Sequence, residues 1–469
     1  MTTILVTAPR GYPRERSYIC EVLLGQFLGL AWDLKQDEGD TVRLSVQDSD
    51  GELELPDVHL SVSERHRRSE SSLPKLPLRT FQPARYKLHC PLVAHEVPII
   101  YGADTAPIEE KWRIRLPVDI FGSAFFMLSR YEELVCTERD KHDRFPALSS
   151  IAYKAGFLER PIVDEYVEIL WAAMHQLWPG LSRQSREGRI FYTCDVDHPY
   201  QPTSKQFASL TRAVAGDIIK RREPAIAMRR IRGAIRARRG DFSEDTNNTF
   251  DWIMDLCETH SHRAAFYFIC GHSAGAIDGC YDLDEPFVRR LMTRIHERGH
   301  EIGVHGSYNS FCDAATLQSE RQNLLQTLDT LNIKGQGYGA RQHYLRWDSG
   351  LTPSLVDTVG FEYDTTGSFA DRPGFRYGTS KPFPMWDWQA CCKLNLLQRP
   401  LIAMEASILE AKYLGLTTAE EQVSLLERLK RACLDFEGDF CILWHNNRLS
   451  DQRSRDLLIT ALSNKTSGY

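Results

Sequence analysis

The sequence predicts an α/β protein in two parts: a separate N-terminal α+β domain over residues 1–182, and a distorted (β/α) barrel with about seven parallel strands over residues 190–469. Three observations lead there. The 469 residues exceed what one hydrophobic core usually serves. A polar run, SRQSREGR from Ser182 to Arg189, separates two stretches of different texture. Beyond it, short apolar, β-rich runs alternate with helix-period segments, the pattern of βα units around a parallel sheet.

In the first part, Val118–Leu134 (VDIFGSAFFMLSRYEEL) is apolar enough for a buried helix, and the polar run ERDKHDRF follows it. Asp140, His142 and Asp143 in that run read as a solvated loop rather than a metal cluster. In the second part the candidate strands are Arg189–Cys194, Ala264–Cys270, Glu301–His305, Gly337–Arg341, Phe361–Asp364, Leu401–Glu405 and Asp439–Trp444. Between them, Pro286–Arg298 places Phe287, Leu291 and Ile295 on one helical face and stops at Gly299, a natural residue past a helix end. Thr418-Ala-Glu-Glu421 has the form of a capping box and opens a helix toward Phe436. Leu317–Leu331 is a third helix, with Leu324, Leu325 and Leu328 on its buried side. Residues 205–239 interrupt the rhythm with amphipathic helical patterning and a dense arginine face; a solvated excursion is the plain reading, an anionic-sugar or lipid-phosphate patch the sharper one.

The bulk properties restrict the function. An apolar fraction of 42% and a charged fraction of 26% are those of a globular chain. A net charge of −6 gives nucleic acid or an anionic membrane no global attraction, so such contacts must be local. The N-terminus lacks a basic n-region followed by an apolar stretch, and no uncharged run is long enough to span a bilayer, so a cytoplasmic protein without a transmembrane segment is expected. The 12 cysteines are scattered, mostly within apolar runs, and read as buried free thiols; adjacent Cys391 and Cys392 do not form a zinc-knuckle pattern.

In β/α folds, reactive side chains gather at the C-terminal ends of the parallel strands, where the loops converge. Here those ends read Cys194-Asp195-Val196-Asp197-His198-Pro199, His305-Gly-Ser-Tyr-Asn309, Arg341-Gln-His343-Tyr344, Asp364-Thr-Thr366 and Trp444-His445-Asn446. Each turns polar directly after an apolar run, which points to one shared site. Of Asp195 and Asp197, one can bind a cation while the other accepts a proton from a water. His305 is a second ligand candidate, and a carboxylate–imidazole set favours Zn²⁺, with Co²⁺, Mn²⁺ or Ni²⁺ feasible. Arg341 would keep the free carboxylate ionised, and His445 could protonate a leaving amine. The combination describes metal-assisted acyl hydrolysis.

These motifs, in this order, resemble the polysaccharide deacetylases with a NodB-type domain, carbohydrate esterase family 4. TCDVDHP (Thr193–Pro199) is similar to the first family motif, which implies Asp195 as the base and Asp197 as a metal ligand. HGSYNS from His305 resembles the second motif, ARQHYLRW (Ala340–Trp347) the third with its Arg341, and ILWHNN (Ile442–Asn447) the last with its acid His445. Two positions depart from the pattern: Asn309 stands where the family has a second ligand histidine, and His343 where it has a proline. The third ligand is thus Asn309 or His343. Candidate substrate contacts are Tyr344, Trp444 and His343, and Asp364 and Asp371 compete as the acid that orients His445. SRYEE, DKHDRF, RQHYLRW and GFRYGTSKPF together look like a bacterial subgroup whose N-terminal domain has no known function.

The resemblance implies removal of an N-acetyl group from an amino sugar of a bacterial surface polysaccharide or its precursor. A deformylase or other amide hydrolase on a lipid-linked sugar is the second reading, with only residues 205–239 behind it. A catalytically silent carbohydrate-binding protein is the third, suggested by the missing histidine. Against it, a pure binder needs no acid and base together, and Asp195, Arg341 and His445 are all present.

Overall fold

The computed structural model describes residues 2–83, 86–104, 107–202, 207–220, 222 and 224–463. The first 115 residues supply a mixed six-stranded sheet from β1 (Thr3–Pro9), β2 (Ala31–Asp37), β3 (Thr41–Val46), β4 (Glu52–Pro56), β7 (Ile108–Glu109) and β8 (Arg113–Arg115), in the order β2-β1-β3-β4-β8-β7. A small hairpin of β5 (Arg79–Phe81) and β6 (Val97–Ile99) stands beside it. Helix Ile162–Leu177, with nearly every residue buried, lies against β4, β6 and β8. The apolar run from Val118 forms two helices rather than one, Ile120–Leu128 and Tyr131–Val135. Arg130 breaks it with a left-handed backbone (φ 55°), and Asp119 caps the first helix by accepting from the Gly122 amide at 2.8 Å.

The second sheet has nine strands: β9 (Ile190–Val196), β10 (Ala265–Ile269), β11 (Glu301–Gly306), β12 (Gly339–Gln342), β13 (Tyr363–Asp364), β14 (Phe383–Asp387), β15 (Cys392–Gln398), β16 (Ala403–Met404) and β17 (Phe440–Leu443). Their order is β14-β15-β13-β12-β11-β10-β9-β17-β16, and every neighbouring pair is parallel except β14 with β15. The seven expected strands correspond to β9–β13, β16 and β17; the hairpin β14–β15 is additional. Its strand β15 shows the alternating burial of a one-sided strand at Leu394, Leu396 and Gln398. Strands β14 and β16 end the sheet, and no ladder joins them among the described residues.

The helices end where their chemistry requires. Thr418 and Glu421 form the reciprocal capping box at the start of Ala419–Asp435. Asp313 caps Ala314–Thr330, three residues earlier than the leucine pattern begins. Pro286–Glu297 buries Phe287, Leu291 and Ile295 as its periodicity requires. Of the interrupting segment, Phe207–Ala215 and Pro224–Ala237 are α-helical and joined through a wide turn at Gly216–Lys220; residues 205, 206, 221 and 223 lie outside the described ones. All 12 cysteines are free thiols, seven of them buried, while Cys280 and Cys312 are exposed.

One hydrophobic cluster runs through both parts, from Ile4 to Leu462. A buried ion cluster bridges them. Glu133 accepts from Arg130 Nε at 2.8 Å and from Arg376 Nε and Nη2 at 2.9 and 2.7 Å, and Ser349 Oγ donates to it at 2.5 Å. Arg130 also donates to Glu132 at 2.6 Å and to the Arg376 carbonyl. No described helix is long and apolar enough to cross a membrane.

Candidate active site

Side chains two apart on a strand share a face, so Thr193, Asp195 and Asp197 all turn to the same side at the end of β9. Register brings their neighbours: His305 of β11 lies directly across from Arg341 of β12. Arg341 is fully buried and donates to Thr193 Oγ1 at 2.8 Å and Thr365 Oγ1 at 2.9 Å. Its remaining nitrogen, Nη1, stands 3.8 Å from Asp195 Oδ2.

Asp197 is the hub. His305 Nε2 lies 3.3 Å and His343 Nε2 3.7 Å from its Oδ1, while His445 Nε2 lies 3.6 Å from its Oδ2. Each imidazole is turned by a partner on its other nitrogen. His305 Nδ1 donates to the Arg341 carbonyl at 3.0 Å, His343 Nδ1 meets Asp278 at 3.0 Å, and His445 Nδ1 meets Glu405 at 2.6 Å. Such a partner orients each ring and turns its Nε2 toward the site. Ligand atoms of Asp197, His305 and His343 fall within 4.8 Å of one another, a group able to hold a metal ion. Asp195 Oδ1 and Asp197 Oδ1 are buried without a hydrogen-bond partner among the described residues. A cation is the group that such oxygens suit, with imidazole nitrogens as further donors once it is bound.

Charge follows the geometry. Burial opposes ionisation of Asp197, but His343, His305 and His445 outweigh it and hold the carboxyl well below its usual range. Burial lowers the His343 imidazole, yet Asp197 and Asp278 raise it to about 9. For His445 burial is likewise outweighed, by Glu405 and Asp197, which raise it to about 10.

Asn309 stands outside the ligand group. It is exposed, its amide donates to the Ser273 carbonyl at 3.1 Å, and its oxygen accepts from Arg346 at 3.2 Å. Neither acid expected beside His445 is there. Asp364 is buried, pushed up to about 6 by that burial, and accepts from the Thr366 amide and hydroxyl; Asp371 accepts from the Ala147 amide. Glu405 takes the place instead, directly after β16, at the end of a strand the sequence does reveal. Asp278 gives no sequence signal, because it comes from an irregular loop after β10. That loop reaches the site through Gly279, whose φ is 81° and where a Cβ would meet the Asp197 carbonyl oxygen at 2.6 Å. Tyr281 pins it, donating to the Val196 carbonyl and accepting from the Ile269 amide, both at 2.7 Å.

Trp444 is 2% exposed, so its ring is a wall behind the strand end rather than a face open to a substrate. Tyr344, 40% exposed, is on the rim, and it and Leu345 both have left-handed backbones (φ 60° and 55°). The turn aims His343 inward and Tyr344 outward. Opposite Tyr344 comes His142 of the N-terminal part, from the polar run ERDKHDRF. Its ring lies 4.7 Å from that of Tyr344, and its Nδ1 is 3.1 Å from the Tyr308 hydroxyl. The contact is reciprocal: Arg144 donates to the Tyr344 carbonyl at 2.7 Å, and Arg346 to the His142 carbonyl at 2.8 Å.

Residues 4–179 match a family of unknown function, DUF7033. No curated protein matches the chain. Among solved structures, the chain is similar to a protein from Mycobacterium smegmatis described as a polysaccharide deacetylase, at 14% identity over 60% of this chain and 84% of that one, with a TM-score of 0.37. It is also similar to Puue allantoinase, at 13% identity over 68% and 90% of the two chains, with a TM-score of 0.35. A third likeness is to a protein from Pseudomonas aeruginosa PAO1 described as a polysaccharide deacetylase, at 15% identity over 67% and 90%, with a TM-score of 0.34. The functional reading rests on the side chains themselves.

Proposed function

We propose that the protein is a metal-dependent hydrolase that removes an N-acetyl group from an amino sugar of a bacterial surface polysaccharide or its precursor. The observation that carries this reading is a carboxylate and an imidazole set around one ligand group: Asp195 beside Arg341 and His305, and His445 held by Glu405 and facing Asp197. Asp197, His305 and His343 would hold the ion, Zn²⁺ by the nature of the donors, with Co²⁺, Mn²⁺ or Ni²⁺ as substitutes. When bound, such an ion supplies Lewis acidity toward the acyl oxygen and makes water a stronger acid.

The chain's own groups supply the proton traffic. Asp195, 3.8 Å from Arg341 Nη1, takes a proton from the attacking water as its oxygen bonds to the acyl carbon. His445 gives its Nε2 proton to the nitrogen as the C–N bond breaks, leaving acetate and a free amine. Glu405 holds His445 in the orientation and charge state for that transfer. Tyr344, Tyr308 and His142 at the rim would receive the sugar. In this reading the chain divides into an N-terminal domain, 1–182, and a catalytic domain, 190–469, and works in the cytoplasm.

A lipid-linked sugar carrying a formyl or other acyl amide is the second reading, favoured by the arginine-rich segment of residues 205–239. Metal analysis of the purified protein, with acetate and formate release measured over N-acylated amino sugars, tests both. Stoichiometric zinc and acetate release are expected. Formate release moves the assignment to the second reading, and sugar binding without turnover overturns both.

A further inference from the structure

The geometry points to residues 207–239 as a docking element for the surface of an anionic lipid bilayer. From 205 to 239 the sequence has eleven Lys and Arg against two acidic residues, a net +9, so the rest of a chain with net charge −6 carries −15. That asymmetry is local and strong. On the same element, Ile218, Ile219, Ile226, Met228 and Ile235 are 50, 77, 43, 51 and 50% exposed. They form a third of the large apolar side chains left exposed among the described residues.

Ile218 and Ile219 lie in the turn Gly216–Lys220, and the helix Pro224–Ala237 presents Ile226, Met228 and Ile235. Ala227, Ala234 and Ala237 are buried on its inner side, and Arg230 donates from there to the fully buried Asp217 at 2.8 Å and to Gln201 at 2.8 Å. Met228, Arg232 and Ile235, spaced i, i+4 and i+7, make one stripe on the opposite side, Arg239 follows in the turn after the helix, and all four are exposed. An apolar side chain alternating with a long cation is what a headgroup boundary accepts: the aliphatic groups enter the acyl region while guanidinium groups meet phosphate.

The other occupants fit less well. A second copy would set one +9 segment against another. A nucleic acid would find a single aromatic residue, Phe207, between residues 207 and 239 on which to stack a base. The element leaves the sheet from the end of β9, just after Asp195 and Asp197, so docking would bring the strand-end site to the bilayer surface.

Flotation of the full-length protein with phosphatidylcholine vesicles, with and without phosphatidylglycerol, tests this without any turnover, so its outcome is independent of the assigned chemistry. Partition onto the anionic vesicles only, weakened by salt, is expected. Replacing Arg232→Glu and Arg239→Glu should lower it by about fivefold or more per arginine. Met228→Asp with Ile235→Asp should lower it comparably, with a thermal melt matching the parent; Met228→Ser with Ile235→Ser serves if the first pair does not fold. Equal partition onto neutral vesicles, no partition at all, or full binding by both paired variants would overturn the proposal. So would preferential binding of an RNA oligonucleotide, or a dimer that Ile235→Asp converts to monomer while vesicles are ignored.

Discussion

Two buried charged clusters lie in this molecule, and they are finished differently. Around Glu133, every charged group is closed by ion pairs and hydrogen bonds of 2.5–2.9 Å to Arg130, Arg376 and Ser349. Around Asp197 the same kinds of group stand 3.3–3.8 Å apart, with carboxylate oxygens left unpartnered among the described residues. Leaving a buried charge unmatched costs several kcal/mol unless something else matches it. The first cluster therefore reads as a fastening between the two parts of the chain, and the second as a site whose balance is struck with a cation and a substrate.

The comparison breaks most visibly at the proposed base. Asp195→Asn should leave metal content and melting temperature unchanged while turnover falls by about 10² to 10⁴, the worth of a positioned acid or base, and His445→Ala should do the same. Zinc content and steady-state rates of the two variants check it, and near-normal rates in both would remove them from the mechanism.

The fastening should show the reverse behaviour. Glu133→Gln leaves Arg130 and Arg376 facing a neutral partner, and a loss of about 3–5 kcal/mol in unfolding free energy is expected, with metal affinity in the surviving folded protein unaltered. Burial would raise the Glu133 carboxyl, but Arg376 and Arg130 outweigh it and depress it to about 2. A depressed folded-state value contributes stability above the ordinary glutamate range that disappears as pH falls toward 2. Denaturant titrations of parent and variant should accordingly differ most above about pH 5 and converge on acidification. A constant difference would contradict the assignment.

Smaller effects test the edges of the site. Asp278→Asn should weaken zinc binding by about 10- to 100-fold through the loss of the His343 orienter. Asn309→Ala, which alters only rim hydrogen bonds, should change it by less than about threefold, the scale of a single exposed hydrogen bond. Isothermal titration of zinc into the two apo variants ranks them; the opposite order would return Asn309 to the ligand set.

Much of this was legible because βα repeats announce their own active end. Apolar runs that turn polar at Asp195, His305, Arg341 and His445 mark strand ends whatever the loops do, and the structure brings all four side chains together. The same rule reaches Glu405 when applied to the short strand before it. Asp278, His142 and the strand β14 were not legible, for two different reasons. The first two come from irregular loops whose approach depends on tertiary packing, and β14 is buried on both sides and includes Pro384, so it shows no alternation. Four stretches set apart in the sequence prove to be two contacts. SRYEE meets GFRYGTSKPF in the Glu133 cluster, and DKHDRF meets RQHYLRW at the rim.

That second contact has an evolutionary reading. Under the proposed function, the chemistry resides on strand ends held by the register of a parallel sheet, while part of the entrance is borrowed from a loop more than 160 residues earlier in the chain. Selection on how the amide is cleaved and selection on which sugar is admitted then act on different stretches of sequence. Substitutions around His142 could retune the clientele without touching a ligand, a base or an acid.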